Sequence, residues 1–230
     1  MNPQEQWLSC QWEESFLRED HEDYLLGRGG SDESINRLGV MSWTPSTTPS
    51  PCTSFRKWFG ETGTALRGYF VCPLYSPSGR CVGFFSRHAE VKKFFLYLIP
   101  PQLKWLPTFI GLTQEDQGYL NNRRVWLVEG IFDYFAMSRI VPEGDIVLAC
   151  LRASISRLQL QFLVRTKPQQ IFVVFDRDEA GLKGSQFAYE YLSRRGLFVQ
   201  QVSYRGGKDP GEIWDSSGEY GLRKEFRSWI

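Results

Sequence analysis

Acidic residues recur at the ends of apolar segments in the second half of the chain. The segment "IFVVFDRDEAG", residues 171–181, places Asp176 and Asp178 directly after five apolar residues. Glu129 follows the apolar run "VWLV", and Asp209 lies in the loop "RGGKDPGE". Carboxylate oxygens are the ligands that Mg²⁺ prefers, and several acids around one pocket suit one or two ions. These residues therefore predict metal-assisted chemistry, such as phosphoryl transfer between paired ions.

Each of these acids also has a structural interpretation, since Asp and Glu are favoured at helix N-caps and in first turns. We prefer that interpretation for Asp133 and Glu179. It explains less for the four acids above, because three separated segments deliver them in an ordered set. Two neighbouring carboxylates repel each other unless a positive charge lies between them. That charge is either a divalent metal ion or Arg177, which stands between Asp176 and Asp178 in the sequence.

Alternating strands and helices must position the acids. Short apolar runs predict three buried strands, "VWLV", "IVLA" and "IFVVF", and a more exposed fourth, "FVQQVSY". Helical patterns separate them, including one from about Lys183 to a C-cap at Gly196 and a final one in "EYGLRKEFRSWI". This alternation implies right-handed crossovers and a parallel sheet. Because binding groups gather at the carboxyl ends of such strands, the acids should meet at one edge.

The preceding residues, 1–112, are expected to form a smaller mixed α+β subdomain with basic character. A short helix should begin near Asp20 and end at the glycines of residues 27–30. Residues 42–54 are rich in Pro, Ser and Thr and predict a linker. The runs "GYFVCPLY" and "RCVGFF" predict a β-hairpin whose aromatic residues belong mostly to the core. Three prolines in "FFLYLIPPQLKWLP" predict irregular structure. Residues 113–230 would form the catalytic domain.

Charge is uneven along the chain, although the net charge is only +1. Residues 1–35 hold nine acids against two arginines, whereas residues 36–112 hold nine basic residues against two glutamates. The cationic middle segment suggests a surface for a polyanion. The alternative is that the acidic and basic segments pair with each other.

Composition argues against several other classes of protein. Apolar residues make up 42% of the chain, which can support a core. No apolar run reaches the roughly 18 residues of a membrane span, and the N-terminus lacks the pattern of a secretory signal. The five scattered cysteines include no C-x-x-C pair, which argues against a zinc ribbon or a disulfide scaffold. We therefore expect a cytoplasmic protein with no membrane partner.

The segments "VWLVEGIFD", "FVVFDRDEAG" and "GGKDPGE" resemble the three signature motifs of the TOPRIM domain, in the version found in bacterial-type DNA primases. This match covers about residues 124–214. A looser similarity, carried by "DYLLGRGGSDESINRLGVMSWTP" and "YFVCPLYSPSGRCVGFFSRH", extends it back to about residue 20. The resemblance implies an α/β fold with a TOPRIM-type parallel sheet flanked by helices. It also implies synthesis of RNA primers on single-stranded DNA from ribonucleoside triphosphates.

The resemblance further implies a role for each matching residue. Glu129, Asp176 and Asp178 would be catalytic, and together with Asp209 they would bind two or more Mg²⁺ or Mn²⁺ ions, with no zinc expected. Nucleotide and template phosphates would be bound by three basic residues: Arg87, Lys93 and Lys208. A replicative helicase or a separate template-recognition protein would be a further partner.

Three departures from the family pattern qualify this interpretation. Gly211 stands where the family has a third acid, with Glu212 as a candidate replacement, and Arg177 stands where glycine is common and would place a cation in the metal pocket. Zinc-binding and helicase-binding segments are also absent, which suggests the stripped-down core of a phage or mobile-element primase, working in a bacterial cell or a phage-infected host. The alternatives are a TOPRIM nuclease that uses water as nucleophile, and a non-catalytic nucleic-acid-binding accessory protein of replication.

Overall fold

A computed structural model of the chain describes residues 17–42, 68–76, 81–91, 93–98, 108–112, 120–151 and 155–230. Within these ranges, an antiparallel sheet of four strands is followed by a parallel sheet of four strands, and helices flank both segments. The linker predicted at residues 42–54 lies outside the described residues, apart from Ser42. The observed α/β architecture agrees with the predicted fold class.

Two short helices open the described chain, α1 (Glu19–Gly27) and α2 (Asp32–Leu38). Three acidic residues occupy the first turn of α1, where the helix dipole favours negative charge. The predicted helix near Asp20 that ends at the glycines is thus confirmed. Ser31 caps α2 by accepting a hydrogen bond from the Ser34 backbone N–H.

The antiparallel sheet has the order β1 (Met41–Ser42), β2 (Tyr69–Tyr75), β3 (Cys81–His88), β4 (Phe94–Leu98). β2 and β3 form the predicted hairpin, and four of its aromatic residues (Tyr69, Phe70, Phe84 and Phe85) are buried as expected, whereas Tyr75 at the end of β2 is partly exposed. The irregular structure predicted from Phe94 onward is wrong for β4, which pairs with β3. The prolines begin only at Pro100, so the apolar residues before them are free to form a strand.

The parallel sheet contains β5 (Arg124–Val128), β6 (Ile146–Ala149), β7 (Gln170–Val174) and β8 (Val199–Gln201). Its order is β6-β5-β7-β8, with every neighbouring pair parallel. The four predicted strands are therefore confirmed. The chain moves from β5 to one side and then returns to the other, so the strand order reverses between β5 and β7. Ligand crevices of open α/β sheets lie at such a switch point, outside the carboxyl ends of the strands.

Four helices accompany this sheet: α3 (Ile131–Ser138), α4 (Arg157–Thr166), α5 (Glu179–Ser193) and α6 (Pro210–Phe226). α5 begins four residues before the predicted start, because Asp178 caps it. The prediction that the last helix begins near Glu219 is wrong, since α6 begins at Pro210 after the cap residue Asp209. A non-helical residue, Gly218 (φ 60°), interrupts it, and only the part beyond that interruption was predicted.

Two apolar clusters cover the two faces of the parallel sheet. One cluster joins Leu25 and Phe70, from the segment before residue 113, to Trp126 and Phe226, from the segment after it. The other cluster lies under α4 and α5. Residues on both faces are buried, as expected for a parallel sheet between layers of helices. The predicted domain boundary at residues 112 and 113 borders residues outside the described ranges and stays a prediction. No helix in the described ranges is long and apolar enough to cross a membrane.

Candidate active site

Glu129 and Asp176 follow the two neighbouring strands at the switch point, β5 and β7. Val128 and Val174, the last residues of these strands, are partners in the sheet register. Beyond them, the Glu129 Oε1 atom accepts a hydrogen bond from the Asp176 backbone N–H at 3.0 Å. Only 9% of Glu129 is exposed, so this bond holds a buried carboxylate between the two strand ends.

The carboxyl groups at this edge influence one another electrostatically. Burial raises the pKa of Glu129 to about 7, and the neighbouring charges of Asp176 and Asp178 act in the same direction. Burial also raises the pKa of Asp176, where the charge of Asp209 adds to the effect and Lys208 opposes it. Like charges raise a carboxyl pKa in this way only at short range. The fold thus brings the four predicted acids together.

Asp178 has a structural role as well as a place in the cluster. Its Oδ1 atom accepts a hydrogen bond from the Gly181 backbone N–H at 2.9 Å and caps α5. This bond, together with Lys208, lowers the pKa of Asp178. A Cβ atom at Gly181 would lie 2.2 Å from the Asp176 carbonyl oxygen and 2.7 Å from Glu129 Oε1. Glycine therefore lets the start of α5 approach the strand ends closely.

Lys208 supplies the positive charge between the two aspartates. Its Nζ atom lies 3.1 Å from Asp176 Oδ2 and 3.1 Å from Asp178 Oδ2. The two contacts raise the pKa of Lys208, and the hydrogen bond to Asp178 is the largest single cause. The expectation that Arg177 would place a cation in this pocket is not met, because its Nη1 atom donates to the carbonyls of Arg205 and Gly207, at 3.1 and 3.2 Å. These carbonyls attract the guanidinium away from the acids.

Asp209 caps the last helix, and Glu212 completes the turn. The Asp209 Oδ1 atom accepts a hydrogen bond from the Glu212 backbone N–H at 2.7 Å. Glu212 Oε2 in turn accepts the backbone N–H of Lys208. One oxygen of the Glu212 carboxylate is therefore engaged with the loop backbone.

Asp133 is a member of the cluster that the sequence interpretation left out. Its Oδ2 atom accepts the Gly130 backbone N–H at 2.9 Å, which confirms the expected first-turn role. Its Oδ1 atom also accepts the Gly211 backbone N–H at 3.1 Å and so ties α3 to α6. Burial, followed by the charges of Asp209 and Asp176, raises the pKa of Asp133 to about 8.

Two arginines lie against the aromatic ring of Phe132, three residues after Glu129. The guanidinium carbon of Arg87 is 5.3 Å from the ring centroid, and that of Arg28 is 4.4 Å from it. The Nε atoms of both are buried and, within the described part of the chain, have no hydrogen-bond partner. Arg87 was predicted as a phosphate-binding residue and Arg28 was not, because residues 27–30 were interpreted from the sequence only as the end of a helix. Lys93 is exposed just before β4.

The oxygen donors of this cluster fit Mg²⁺ or Mn²⁺ in chemical type. In the described ranges, however, no group of three or more Asp, Glu, His or Cys side chains is arranged to hold a metal ion. The Lys208 ammonium instead neutralises part of the carboxylate charge. The donor set therefore suits a divalent ion, and Lys208 occupies oxygens that such an ion would use.

Comparison with known proteins identifies the second half of the chain. A family model described as Toprim-like matches residues 126–214, which include β5, β7 and all four predicted acids. An uncharacterised protein of Mycoplasma genitalium is 33% identical over 146 residues, which cover 62% of this chain and 64% of that protein. A DNA primase of Deinococcus radiodurans is 26% identical over 222 residues, which cover 88% of this chain and 38% of the primase.

A solved structure resembles the fold over most of the chain. The catalytic domain of the primase DnaG bound to single-stranded DNA superposes with a TM-score of 0.66 and 20% identity, covering 91% of this chain and 72% of that domain. This chain spans less than two thirds of the length of the two relatives above. Residues 126–214 thus match the Toprim-like family, and the chain shares its fold with the primase catalytic domain over most of its length.

Proposed function

We propose that this chain is the catalytic core of a DNA primase, which synthesises short RNA primers on single-stranded DNA by metal-assisted nucleotidyl transfer. The observation that carries the proposal is the meeting of Glu129, Asp176 and Asp178 at the carboxyl ends of β5 and β7. Relatives that are DNA primases, and a neighbour of known structure bound to single-stranded DNA, support the choice of reaction and template.

In this proposal, Glu129, Asp176, Asp178 and Asp209 hold two or more Mg²⁺ or Mn²⁺ ions. When bound, these ions would neutralise phosphate charge and stabilise the attacking and leaving oxygens. The chain itself fixes the donors before the substrate arrives. The Asp176 backbone N–H orients Glu129, the start of α5 orients Asp178, and the start of α6 orients Asp209. Such preorganisation avoids the cost of rearranging the acids during the reaction.

Phosphates of the template or of the nucleotide would be held by basic residues near the acids. Arg87 and Arg28 support this role because their Nε–H groups are buried without a partner in the described chain. Stacking on Phe132 fixes both guanidinium planes. Arg28 Nη1 already pairs with Asp215 Oδ2 at 2.5 Å, so Arg87 is the better candidate for binding a phosphate oxygen. Lys93, exposed before β4, and Lys208 would add to this surface. Contacts of this kind predict affinity that is largely independent of sequence and falls with salt.

The test is primer synthesis on single-stranded DNA with four ribonucleotides and Mg²⁺ or Mn²⁺. We expect short RNA products from the parent protein and a loss to background for the Asp176→Asn, Asp178→Asn double variant. Glu179→Gln is the matched control. Glu179 is the first residue of α5, the helix that Asp178 caps, and its side chain is 84% exposed. It should retain full synthesis.

Other outcomes would favour the alternatives. Cleavage of the template without added nucleotides would indicate a TOPRIM nuclease. Binding of single-stranded DNA without synthesis, and without Mn²⁺ binding, would indicate a non-catalytic replication protein. Gly211 and the occupation of the aspartate pair by Lys208 favour that second alternative. Synthesis restored by a replicative helicase or a template-recognition protein would instead identify a required partner.

A further inference from the structure

Lys208 is the one cation within the described chain that contacts both Asp176 and Asp178. Its side chain is 49% exposed, whereas the side chain of Asp176 is 16% exposed. The ammonium thus reaches from the solvent side into a half-buried pair of acids. An ammonium on a flexible four-carbon stem can leave such a position by rotation about single bonds.

The backbone of Lys208, in contrast, is firmly held. Its carbonyl oxygen accepts hydrogen bonds from the Arg177 N–H at 2.8 Å and from the Tyr204 hydroxyl at 3.0 Å. Its N–H donates to Glu212, and the Arg177 guanidinium holds the carbonyls on either side of Gly206. The loop therefore keeps Lys208 beside the acids while only its side chain is free to move.

A divalent ion and this ammonium need the same oxygen atoms. Two cations within about 3 Å of one carboxylate oxygen repel each other strongly in a partly buried site. The charges of Asp176 and Asp178 add to the effect of burial on the pKa of Glu129, and those of Asp209 and Asp178 add to it for Asp176. Without any cation, these acids would repel one another. A divalent ion that binds Asp176 Oδ2 and Asp178 Oδ2 should therefore displace the Lys208 ammonium from these two atoms.

We infer that Lys208 is an exchangeable internal counter-ion. Its ammonium holds the Asp176 and Asp178 carboxylates together until a divalent ion takes these oxygens, and it then moves to the solvent side of the site. The inference deepens the proposed function and rests on it for the presence of the divalent ion. It goes further because the Lys208 ammonium competes with the divalent ion for the same oxygens and so lowers the metal affinity of the chain.

Mn²⁺ binding tests the inference, with the free ion followed by electron paramagnetic resonance. We expect Lys208→Met to bind Mn²⁺ about fivefold more tightly than the parent. Lys183→Met is the matched control, because Lys183 pairs with Glu179 on the exposed surface of the same helix as Asp178; its Mn²⁺ affinity should equal that of the parent. Equal or weaker binding by Lys208→Met would overturn the inference.

A second measurement uses the parent protein and does not depend on the folding of a variant. The Lys208 ammonium, labelled with ¹⁵N, should give a signal protected from solvent exchange when EDTA is present. Saturating Mg²⁺ should abolish that protection, and an unchanged signal would contradict exchange. Primer synthesis distinguishes the two proposals. If the parent makes primers but Lys208→Met binds Mn²⁺ no more tightly, only this inference is rejected. If Lys208→Met binds Mn²⁺ more tightly but the parent makes no primers, only the proposed reaction is rejected.

Discussion

At the amino-terminal edge of the parallel sheet, Asp145 is matched by two side chains of the neighbouring strand β5. Its carboxylate accepts hydrogen bonds from Arg124 Nε at 2.9 Å and from Trp126 Nε1 at 2.7 Å, and its side chain is 7% exposed. At the carboxyl edge of the same sheet, Asp176 and Asp178 share one lysine that comes from a loop. Glu129, equally buried, receives a backbone N–H.

This difference separates what stabilises the sheet from what equips it for chemistry. The buried acid of the amino-terminal edge has a fixed cation and a second donor, so its charge is compensated within the fold. The carboxyl edge gathers several acids whose repulsion raises the pKa of Glu129 and of Asp176 beyond the effect of burial. An edge that keeps such a cluster is a candidate functional site, because perturbed carboxyl groups are enriched there.

The largest expected effect comes from filling the space between α5 and the strand ends. Gly181→Ala would place a methyl group 2.2 Å from the Asp176 carbonyl oxygen. Because backbone atoms must move to relieve this overlap, we expect a loss of about 3 kcal/mol in the free energy of unfolding, measured by urea denaturation. Gly27→Ala, with nothing within 4 Å of the new Cβ, should change stability by less than about 0.5 kcal/mol.

A pair of matched substitutions tests the two edges directly. Asp145→Asn should lower the free energy of unfolding by about 2 kcal/mol, because Arg124 loses its counter-charge and one of two donors loses its acceptor. In EDTA, Asp176→Asn should leave stability unchanged or raise it, since it relieves repulsion at the other edge. Equal losses in the two variants would contradict the proposed division between the edges.

The pH dependence of stability should reflect the buried acids. The pKa of Glu129 is raised from 4.5 to about 7 in the folded chain, so the folded state keeps a proton that the unfolded state releases. Stability is therefore greatest below pH 4.5 for this group and is lost as the pH rises through 7, by about 2 kcal/mol. Chemical denaturation in EDTA across this range measures the fall.

Glu129→Gln should remove the part of the fall that Glu129 contributes, whereas the separate part due to Asp133, whose pKa is also raised, should remain. The glutamine oxygen can still accept the Asp176 N–H, so the strand ends stay connected. A variant whose stability follows the same pH curve as the parent would show that Glu129 does not carry the effect.

The smallest effect is expected at the loop that presents Lys208. Arg177→Ala removes the guanidinium that holds the carbonyls of Arg205 and Gly207, and should cost about 1 kcal/mol. Amide hydrogen exchange should become faster at Lys208. Arg195→Ala, which removes an exposed bond to the Tyr191 carbonyl, should leave exchange in this loop unchanged.

Sequence reasoning located the parallel sheet and its acidic edge. Apolar runs mark buried strands, and the rule for right-handed crossovers determines which strand ends face the same way. Glu129 and Asp176 could therefore be placed together without coordinates. The start of α6 was missed because the glycine at position 218 and the serines before it gave a weak helical pattern. The acid and proline at its true start were interpreted as a turn.

The contacts that sequence reasoning missed depend on distant backbone. Asp133 accepts a hydrogen bond from Gly211, 78 residues away in the sequence, and no local sequence pattern predicts that contact. The direction of Lys208 follows from Tyr204 and Glu212, which hold its loop, and the direction of Arg177 follows from the carbonyls of that loop. The strand β4 likewise needs β3 as a partner. Such features are set by packing rather than by propensity.

The apolar cluster shared by the two sheets has a consequence for how the chain unfolds. Leu25 and Phe70 from the first segment are buried with Trp126 and Phe226 from the second. Because each segment shields apolar surface of the other, neither holds its full stability alone, and the described chain should melt in one cooperative transition. Residues 113–230 by themselves would expose the face that Phe70 covers. Arg28, Arg87 and the acids at the ends of β5 and β7 thus belong to a single folding unit, and the packing of its core determines the distance between the arginines and the acids.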